Sequence, residues 1–368
     1  MTTVVVTDGK YRASIAAVRT LGRAGYRVVV TQTRKDSALP PPAFSSRYCG
    51  EGRWIEGAAA DEEYPDRLLA VLREYERPVL FCVGAVTLNA VARQRERFSP
   101  SADFLIAPPE VLDALNDKEA VHRRCEELGI PVPRAYSAAP ERYPVVIKPH
   151  CGEKFGLKAR DRYRIAEDEA SYRAALAAMA PYDPAPLVQE RVTGDGAGAS
   201  LLLGRDGALL GAICHRRVRE YPITGGPSTC CESFYDPELI DRAHRLLRSF
   251  GFQGLAMVEF KGGYVLEVNP RIWGSFPLTA CAGSPIAAHY ARAAAGEAVA
   301  YAPADYTAGL RMRFLLNDTA ALLSLLRHGR VGPFCAGVRD CFTAREALTD
   351  RDDPAPMRRY LRNTLLRR

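Results

Sequence analysis

The chain lacks most of the patterns that announce a function at sight. Its six histidines form no HxxH or HExxH set, and its ten cysteines include one adjacent pair, Cys230-Cys231, but no CxxC. That argues against a zinc site and for reduced thiols of a cytoplasmic protein. The N-terminus, Met1-Thr2-Thr3-Val4-Val5-Val6-Thr7-Asp8, has no basic segment and meets an acid at position 8, so it does not read as a signal peptide. One 20-residue stretch, Ile272 to Ala291, carries no formal charge. Gly274, Pro277, Gly283 and Pro285 interrupt it, so it reads as buried loop and helix rather than a membrane span. The turn after the first apolar run, Thr7-Asp8-Gly9-Lys10-Tyr11-Arg12, holds one glycine. A dinucleotide site needs several, so that backbone can approach a pyrophosphate. Their absence argues against NAD there, and a small-substrate crevice at the strand ends stays open. No GxSxG or Ser-His-Asp arrangement offers a nucleophile.

What is present is ordinary in bulk. At 368 residues, 47% apolar and 25% charged, the chain is globular and long enough for two or three domains. Fifty basic against 43 acidic residues leave +7, which raises the question of nucleic acid. The class is α/β. Val4-Val5-Val6, a helix capped at Ser14 and ended by Gly25, and Tyr26 to Thr31 make a βαβ unit, hence a parallel sheet. Pro108-Pro109 marks a boundary. A helical stretch then runs to Gly129, and a strand over Tyr143 to Pro149 ends on Lys148. Further strands lie at Leu187 to Val192, Ser200 to Leu203 and Leu209 to Cys214. Helices are expected over Pro237 to Phe250 and, capped by Asn317 and Gly329, over Asn317 to His328.

The most informative segment is Ala256-Met257-Val258-Glu259-Phe260, then Lys261-Gly262-Gly263, then Tyr264-Val265-Leu266-Glu267-Val268-Asn269. A three-residue loop with Phe260 opposite Tyr264 places Ala256, Val258, Phe260, Tyr264, Leu266 and Val268 on one apolar face. Met257, Glu259, Val265, Glu267 and Asn269 take the other, with Glu259 diagonal to Glu267. Two carboxylates about 5–8 Å apart on a sheet repel. Either the face is solvated, or a hard divalent cation such as Mg2+ neutralises it. Lys148, at a strand mouth before the basic loop His150 to Gly156, suits a phosphate. A solvated lysine is the plain alternative. Arg217 and Arg219 alternate along one strand and can grip a carboxylate bidentately. The competing reading is a solvated charge run.

Six segments then fall in order: Asn116-Asp117-Lys118, Leu128 to Pro133, Val145-Val146-Ile147-Lys148-Pro149, Val188-Gln189-Glu190, Met257-Val258-Glu259-Phe260, and Leu266-Glu267-Val268-Asn269-Pro270-Arg271. This order resembles the ATP-grasp superfamily, in its carbamoyl-phosphate-synthase-like and carboxylate–amine ligase branch. The resemblance covers residues 1 to about 300, including a pre-ATP-grasp pattern at Leu21 to Val28. It implies a Rossmann-like domain over 1–108, an ATP-grasp domain of two α+β lobes over 109–300 with its lid near 143–192, and a small extension over 301–368.

The resemblance also implies roles. Lys118 and Lys148 would hold the phosphates of ATP. Gln189, Glu190, Arg191 and Val192 would form the adenine hinge, with Glu190 near the exocyclic amine. Glu259, Glu267 and Asn269 would bind Mg2+, for which Mn2+ can substitute. Arg271 would stabilise the transferring phosphoryl group. The loop from Gly152 to Gly156 would close over the phosphates, although Glu153, Lys154 and Phe155 depart from the small residues usual there. Arg217 and Arg219 would capture the acid substrate.

The activity implied is ADP-forming ligation of a small-molecule carboxylate to an amine through an acyl-phosphate. Bicarbonate activation is the alternative, ranked second because no Met-Lys-Met biotin motif or glutamine-amidotransferase domain is seen. A non-catalytic ATP-binding scaffold is the alternative from another class. A homodimer is compatible with these readings. No nucleic acid is expected, because the positive charge concentrates at Lys148 to Arg164, Arg216 to Arg219 and the tail. That tail, Met357 to Arg368, has five arginines and no acid. It either packs on the body or meets an anionic partner. Trp273 and Ser275 line an acceptor pocket or pack in the core. Cys230-Cys231 reads as loop packing, and His122, His244 and His289 as structural or solvated.

Overall fold

The computed structural model describes residues 1–150, 163–223 and 226–366. Four short β-rich runs near the N-terminus, β1 (Thr3–Val6), β2 (Arg27–Thr33), β3 (Cys49–Ile55) and β4 (Val79–Phe81), form a parallel sheet in the order β3-β2-β1-β4. Alternate side chains enter two different cores. Val5, Val29 and Leu80 join one, while Val4, Val6, Val28, Val30 and Phe81 join the other. Both faces are therefore covered, as continuous β-branched runs require. The helix between β1 and β2 spans Arg12–Arg23. Ser14 lies inside it rather than capping it, because its hydroxyl donates back to the carbonyl of Asp8 at 2.7 Å.

A three-stranded antiparallel sheet follows, β6-β5-β7, from β5 (Val145–Lys148), β6 (Arg164–Ala166) and β7 (Leu187–Glu190). The largest sheet has seven strands. Its members are β8 (Gly196–Leu203), β9 (Leu209–Glu220), β10 (Ser228–Phe234), β11 (Gly254–Lys261), β12 (Tyr264–Asn269), β13 (Arg311–Arg313) and β14 (Arg345–Glu346). Their order is β12-β11-β8-β9-β10-β13-β14. Residues beyond 301 thus complete the edge of the central sheet instead of hanging from it.

Helix boundaries follow capping chemistry. The helical stretch after Pro108 breaks into Pro109–Asn116 and Lys118–Glu127. Asp117 starts the second by accepting from the amides of Glu119 and Ala120 at 2.9 and 3.2 Å. Asp236 caps Pro237–Ser249 likewise. The late helix begins at Leu315, two residues before the expected cap Asn317, and ends before Gly329, whose φ is +68°. The uncharged stretch folds as the short helix Pro277–Ala282, a turn at Gly283 (φ +76°) and the helix Ile286–Ala294. Among the described residues no helix is long and apolar enough to cross a membrane.

The C-terminal helix Ala355–Leu366 packs on the N-terminal sheet's periphery. Asn363 donates to the carbonyl of Pro40 at 2.9 Å. Just before the helix, buried Asp353 accepts from Arg19 (2.9 Å), from Ser46 Oγ (2.7 Å) and from the amide of Arg47 (2.9 Å). Leu365 and Leu366 stay exposed at its end.

Candidate functional site

The acidic hairpin has a different turn from the expected one. Lys261 pairs with Tyr264 across a two-residue turn, Gly262-Gly263, with φ of +56° and +85°. Such a turn favours glycine at both central positions. Pairing continues with Phe260 opposite Val265 and then Glu259 opposite Glu267. Leu266 is an extra residue, a bulge that moves every later side chain of β12 to the other face. Val265, not Tyr264 or Leu266, therefore shares the core with Phe260 and Val268. The carboxylates end directly opposed rather than diagonal, which sharpens their repulsion.

The bulge also frees a carbonyl. Leu266 O accepts from Lys148 Nζ at 3.4 Å and from His122 Nε2 at 3.1 Å. His122 must carry its proton on Nε2 to do so, leaving Nδ1 to accept from Gln189 Nε2 at 2.6 Å. Burial and the nearby Lys148 charge push the imidazole down to about 4, so it is neutral near pH 7. A chain from Gln189 through His122 to Leu266 O thus ties β7 and the Lys118–Glu127 helix to the spot where Lys148 points.

Lys118 reaches Glu267 at 3.2 Å. Arg217 pairs with Glu259, which also accepts from Asn269 Nδ2 at 3.1 Å. Arg271 Nη2 donates to Asn269 Oδ1 at 2.9 Å. Lys118, Lys148, Arg217, Glu259, Glu267, Asn269 and Arg271 are thereby linked in one cleft between the three-stranded sheet and the β11–β12 end of the large one. The electrostatics is uneven. Burial raises the Glu259 carboxyl against the pull of Arg217, and Glu267 adds to the rise. Burial also works on Glu267, yet Lys118 and Lys148 outweigh it and hold that carboxyl low. Burial and Lys118 lower Lys148 to about 8.

Other expected residues go elsewhere. Arg219 turns away from the cleft, with Nε and Nη2 on the two oxygens of buried Asp318 at 2.9 and 3.0 Å and a further pair to Asp340. Each of its three nitrogens is engaged by a buried carboxylate, so it is not placed to hold a substrate. The carboxylate of Glu190 accepts from the Arg134 amide at 3.0 Å, and Arg191 pairs with Glu167 at 2.9 Å. The side chains of Gln189, Glu190 and Arg191 are thus each engaged within the protein. Trp273 is core, edge-on to Phe276. Cys230 and Cys231 are buried on β10, and burial pushes the Cys230 thiol up to about 12. His244 and His289 bond to the carbonyls of Gly207 and Leu210. Gly152 and Gly156 lie outside the described residues.

Two features escaped the sequence. His215, on β9, is buried, shares a 3.2 Å hydrogen bond with Ser275 Oγ, and is lowered to about 3 by burial and Arg217. Its ring takes the space left by Gly198, its partner on β8: a Cβ there would meet the His215 ring and, at 3.1 Å, Met257 Sδ. The second is Asp8, at φ +59° on the end of β1. Its buried carboxylate accepts from the Gly84 amide at 2.9 Å and Thr87 Oγ1 at 3.1 Å. It clips β1 to the segment after β4, where the strand order changes direction.

Among the described residues no three acidic, histidine or cysteine side chains gather as a metal cage. The donors here, two carboxylates and an amide oxygen, suit Mg2+ instead, which completes its shell with phosphate oxygens and water. Residues 115–275 match the model of the ATP-grasp domain. The chain carries an ATP-grasp domain. It is similar to the carbamoyl phosphate synthase large chain of Thermus thermophilus, 26% identical over 308 residues that cover 77% of this chain and 28% of that protein. The same protein of Deinococcus radiodurans is 24% identical, with 77% and 29% covered. The chain therefore spans under a third of the relatives it matches. Among solved structures, the biotin carboxylase–β-γ-ATP complex of Campylobacter jejuni superposes with a TM-score of 0.63, at 16% identity, covering 84% of this chain and 74% of that one. The biotin carboxylase domain dimer of the Hydrogenobacter thermophilus 2-oxoglutarate carboxylase, with MgADP, ADP and bicarbonate, gives 0.63 at 15% identity, covering 84% and 73%. These neighbours share the ATP-grasp fold.

Proposed function

We propose that the chain is an ATP- and Mg2+-dependent ligase that activates a carboxylate and joins it to an amine. The observation that carries this reading is the meeting of Lys118, Lys148, Glu259, Glu267, Asn269 and Arg271 in one cleft from separate segments of the chain. Residues 109–300 form the nucleotide unit, and residues 143–192 cover it. Lys118 and Lys148 bind the β- and γ-phosphates, and the backbone from Glu190 to Val192 borders the adenine. A substrate carboxylate oxygen attacks the γ-phosphorus, the bond to the bridging oxygen breaks, and ADP leaves. Arg271 faces the charge that spreads over the phosphoryl oxygens. Mg2+, held by Glu259, Glu267 and Asn269 when bound, supplies charge neutralisation at the phosphates. The amine then attacks the acyl carbon and phosphate departs. No nucleophile of the chain is required.

A second reading is activation of bicarbonate. The names of the relatives and neighbours favour it: they are carbamoyl phosphate synthases and biotin carboxylases, one of them holding bicarbonate. A screen of ADP release over carboxylates crossed with amines, with bicarbonate as a separate arm, tests both. Turnover that needs both an acid and an amine supports the ligase. Amine-independent turnover on bicarbonate moves the assignment to the second reading. ATP binding without turnover in any arm leaves a nucleotide-binding scaffold.

A further inference from the structure

Every oxygen donor proposed for the metal already touches a cation of the chain. Lys118 is on Glu267, Arg271 on Asn269 and Arg217 on Glu259. The first two belong with the phosphates. Arg217 is different, because it starts two strands away. Glu259 on β11 pairs with Gly198 on β8, which pairs with His215 on β9. To reach Glu259, Arg217 must cross β8, and β8 offers Gly196 and Gly198 there. A Cβ at Gly196 would come within 3.1 Å of Arg217 Cδ. The crossing is thus a groove without side chains. Arg217 also has a foot outside the metal set, donating from Nη1 to the carbonyl of Gly226 at 3.4 Å. A guanidinium keeps its proton at any working pH, so it is a permanent charge. Two directly opposed carboxylates need compensation from both sides. Lys118 and Lys148 supply it on the side of Glu267, and Arg217, ahead of Arg271, on the side of Glu259.

We infer that Arg217 is a stand-in cation, which neutralises Glu259 in the absence of a divalent ion, yields that carboxylate when the ion binds, and is then free to take an anionic group of the acid substrate. The inference rests on the proposed metal role of Glu259 and Glu267. Arg217 holds Oε2 of Glu259 and Asn269 Nδ2 donates to Oε1, so both oxygens are engaged and an ion that binds there competes with Arg217. The acid substrate is accordingly bound after the metal-nucleotide.

The test uses the full chain without nucleotide or substrate. Mn2+ affinity is read by electron paramagnetic resonance, and thermal midpoints are taken with and without Mg2+. Arg217→Gln is expected to bind Mn2+ on the order of tenfold more tightly, to melt lower without metal, and to gain more from Mg2+ than the parent does. Arg217→Lys keeps a charge on a different reach and gives the same direction with a smaller rise, so the comparison survives if the glutamine variant does not fold. Mn2+ affinity unchanged or weakened in these variants overturns the inference and leaves the proposed function standing. Undiminished Mn2+ binding in Glu267→Gln overturns the metal site itself, and the inference with it.

Discussion

Arg217 and Arg219 leave the same strand two residues apart and enter opposite surroundings. Arg219 is almost fully buried, bidentate on an Asp318 with no exposed surface and paired with Asp340, which Arg311 also holds at 2.7 Å. Thr229 Oγ1 adds a 3.0 Å bond to Asp318. Burial alone would raise the Asp340 carboxyl, but Arg219 and Arg311 bring it down. Donors and acceptors there are matched, and the cluster fastens the helices Leu315–Arg327 and Val331–Thr343 to the large sheet. Arg217 is about a quarter exposed, and its partner Glu259 stays raised because burial, with a second carboxylate facing it, outweighs the pull of Arg217. A matched ion network is scaffold. A cleft whose opposed carboxylates depend on borrowed cations is where a metal and phosphates can still gain something.

The contrast can be broken most forcefully at Arg219. Arg219→Ala strands Asp318 as a buried, under-compensated charge and should cost about 3–5 kcal/mol, read by chemical denaturation. An unchanged unfolding midpoint would show that the network carries no stability. Glu267→Ala probes the other side. It should lower ADP formation by about 10²-fold or more while the circular dichroism spectrum stays that of the parent, and near-normal turnover would sink the metal assignment.

Gly198→Ala follows, at about 1–3 kcal/mol. It should also disturb His215, visible as a shifted imidazole resonance; an undisturbed ring would mean that the groove is wider than it looks. Lys148→Met acts in the opposite direction. Burial lowers this lysine from 10.5 to about 8, so below pH 8 the folded state holds a charge it disfavours. Between about 8 and 10.5 the unfolded chain binds more protons than the folded one, and the parent's stability rises with pH. The variant should therefore melt a few degrees higher at pH 7, with the gap closing across that window, and should bind ATP more weakly. A gap independent of pH would remove the burial argument.

Much of the cleft was legible because its signals are local. Alternation with period two puts Glu259, Glu267 and Asn269 on one side of a hairpin, and a lysine closing an apolar run marks a strand mouth. The turn was not legible. Both a three-residue loop and a two-residue turn with a bulge keep Glu259 and Glu267 together, and only the second makes Val265 rather than Leu266 a core residue. The same bulge releases the Leu266 carbonyl for Lys148 and His122, which no spacing rule announces. His122 read as a bland helical histidine because its partners, Gln189 and Leu266, are 67 and 144 residues away.

The sequence by itself determined the βαβ start, the ATP-grasp order of motifs, and the convergence of two carboxylates with Asn269 on one hairpin. These depend on residue type and on periodicities that operate within a few residues. Only the tertiary structure decided which charge answers which. Arg217 and Arg219 are chemically equal in the chain, but strand order and the side-chain-free crossing at Gly196 and Gly198 bring one to Glu259. The helices after residue 314 bring Asp318 and Asp340 to the other. Ion pairing acts through space, so its outcome waits for the strands and helices to be stacked.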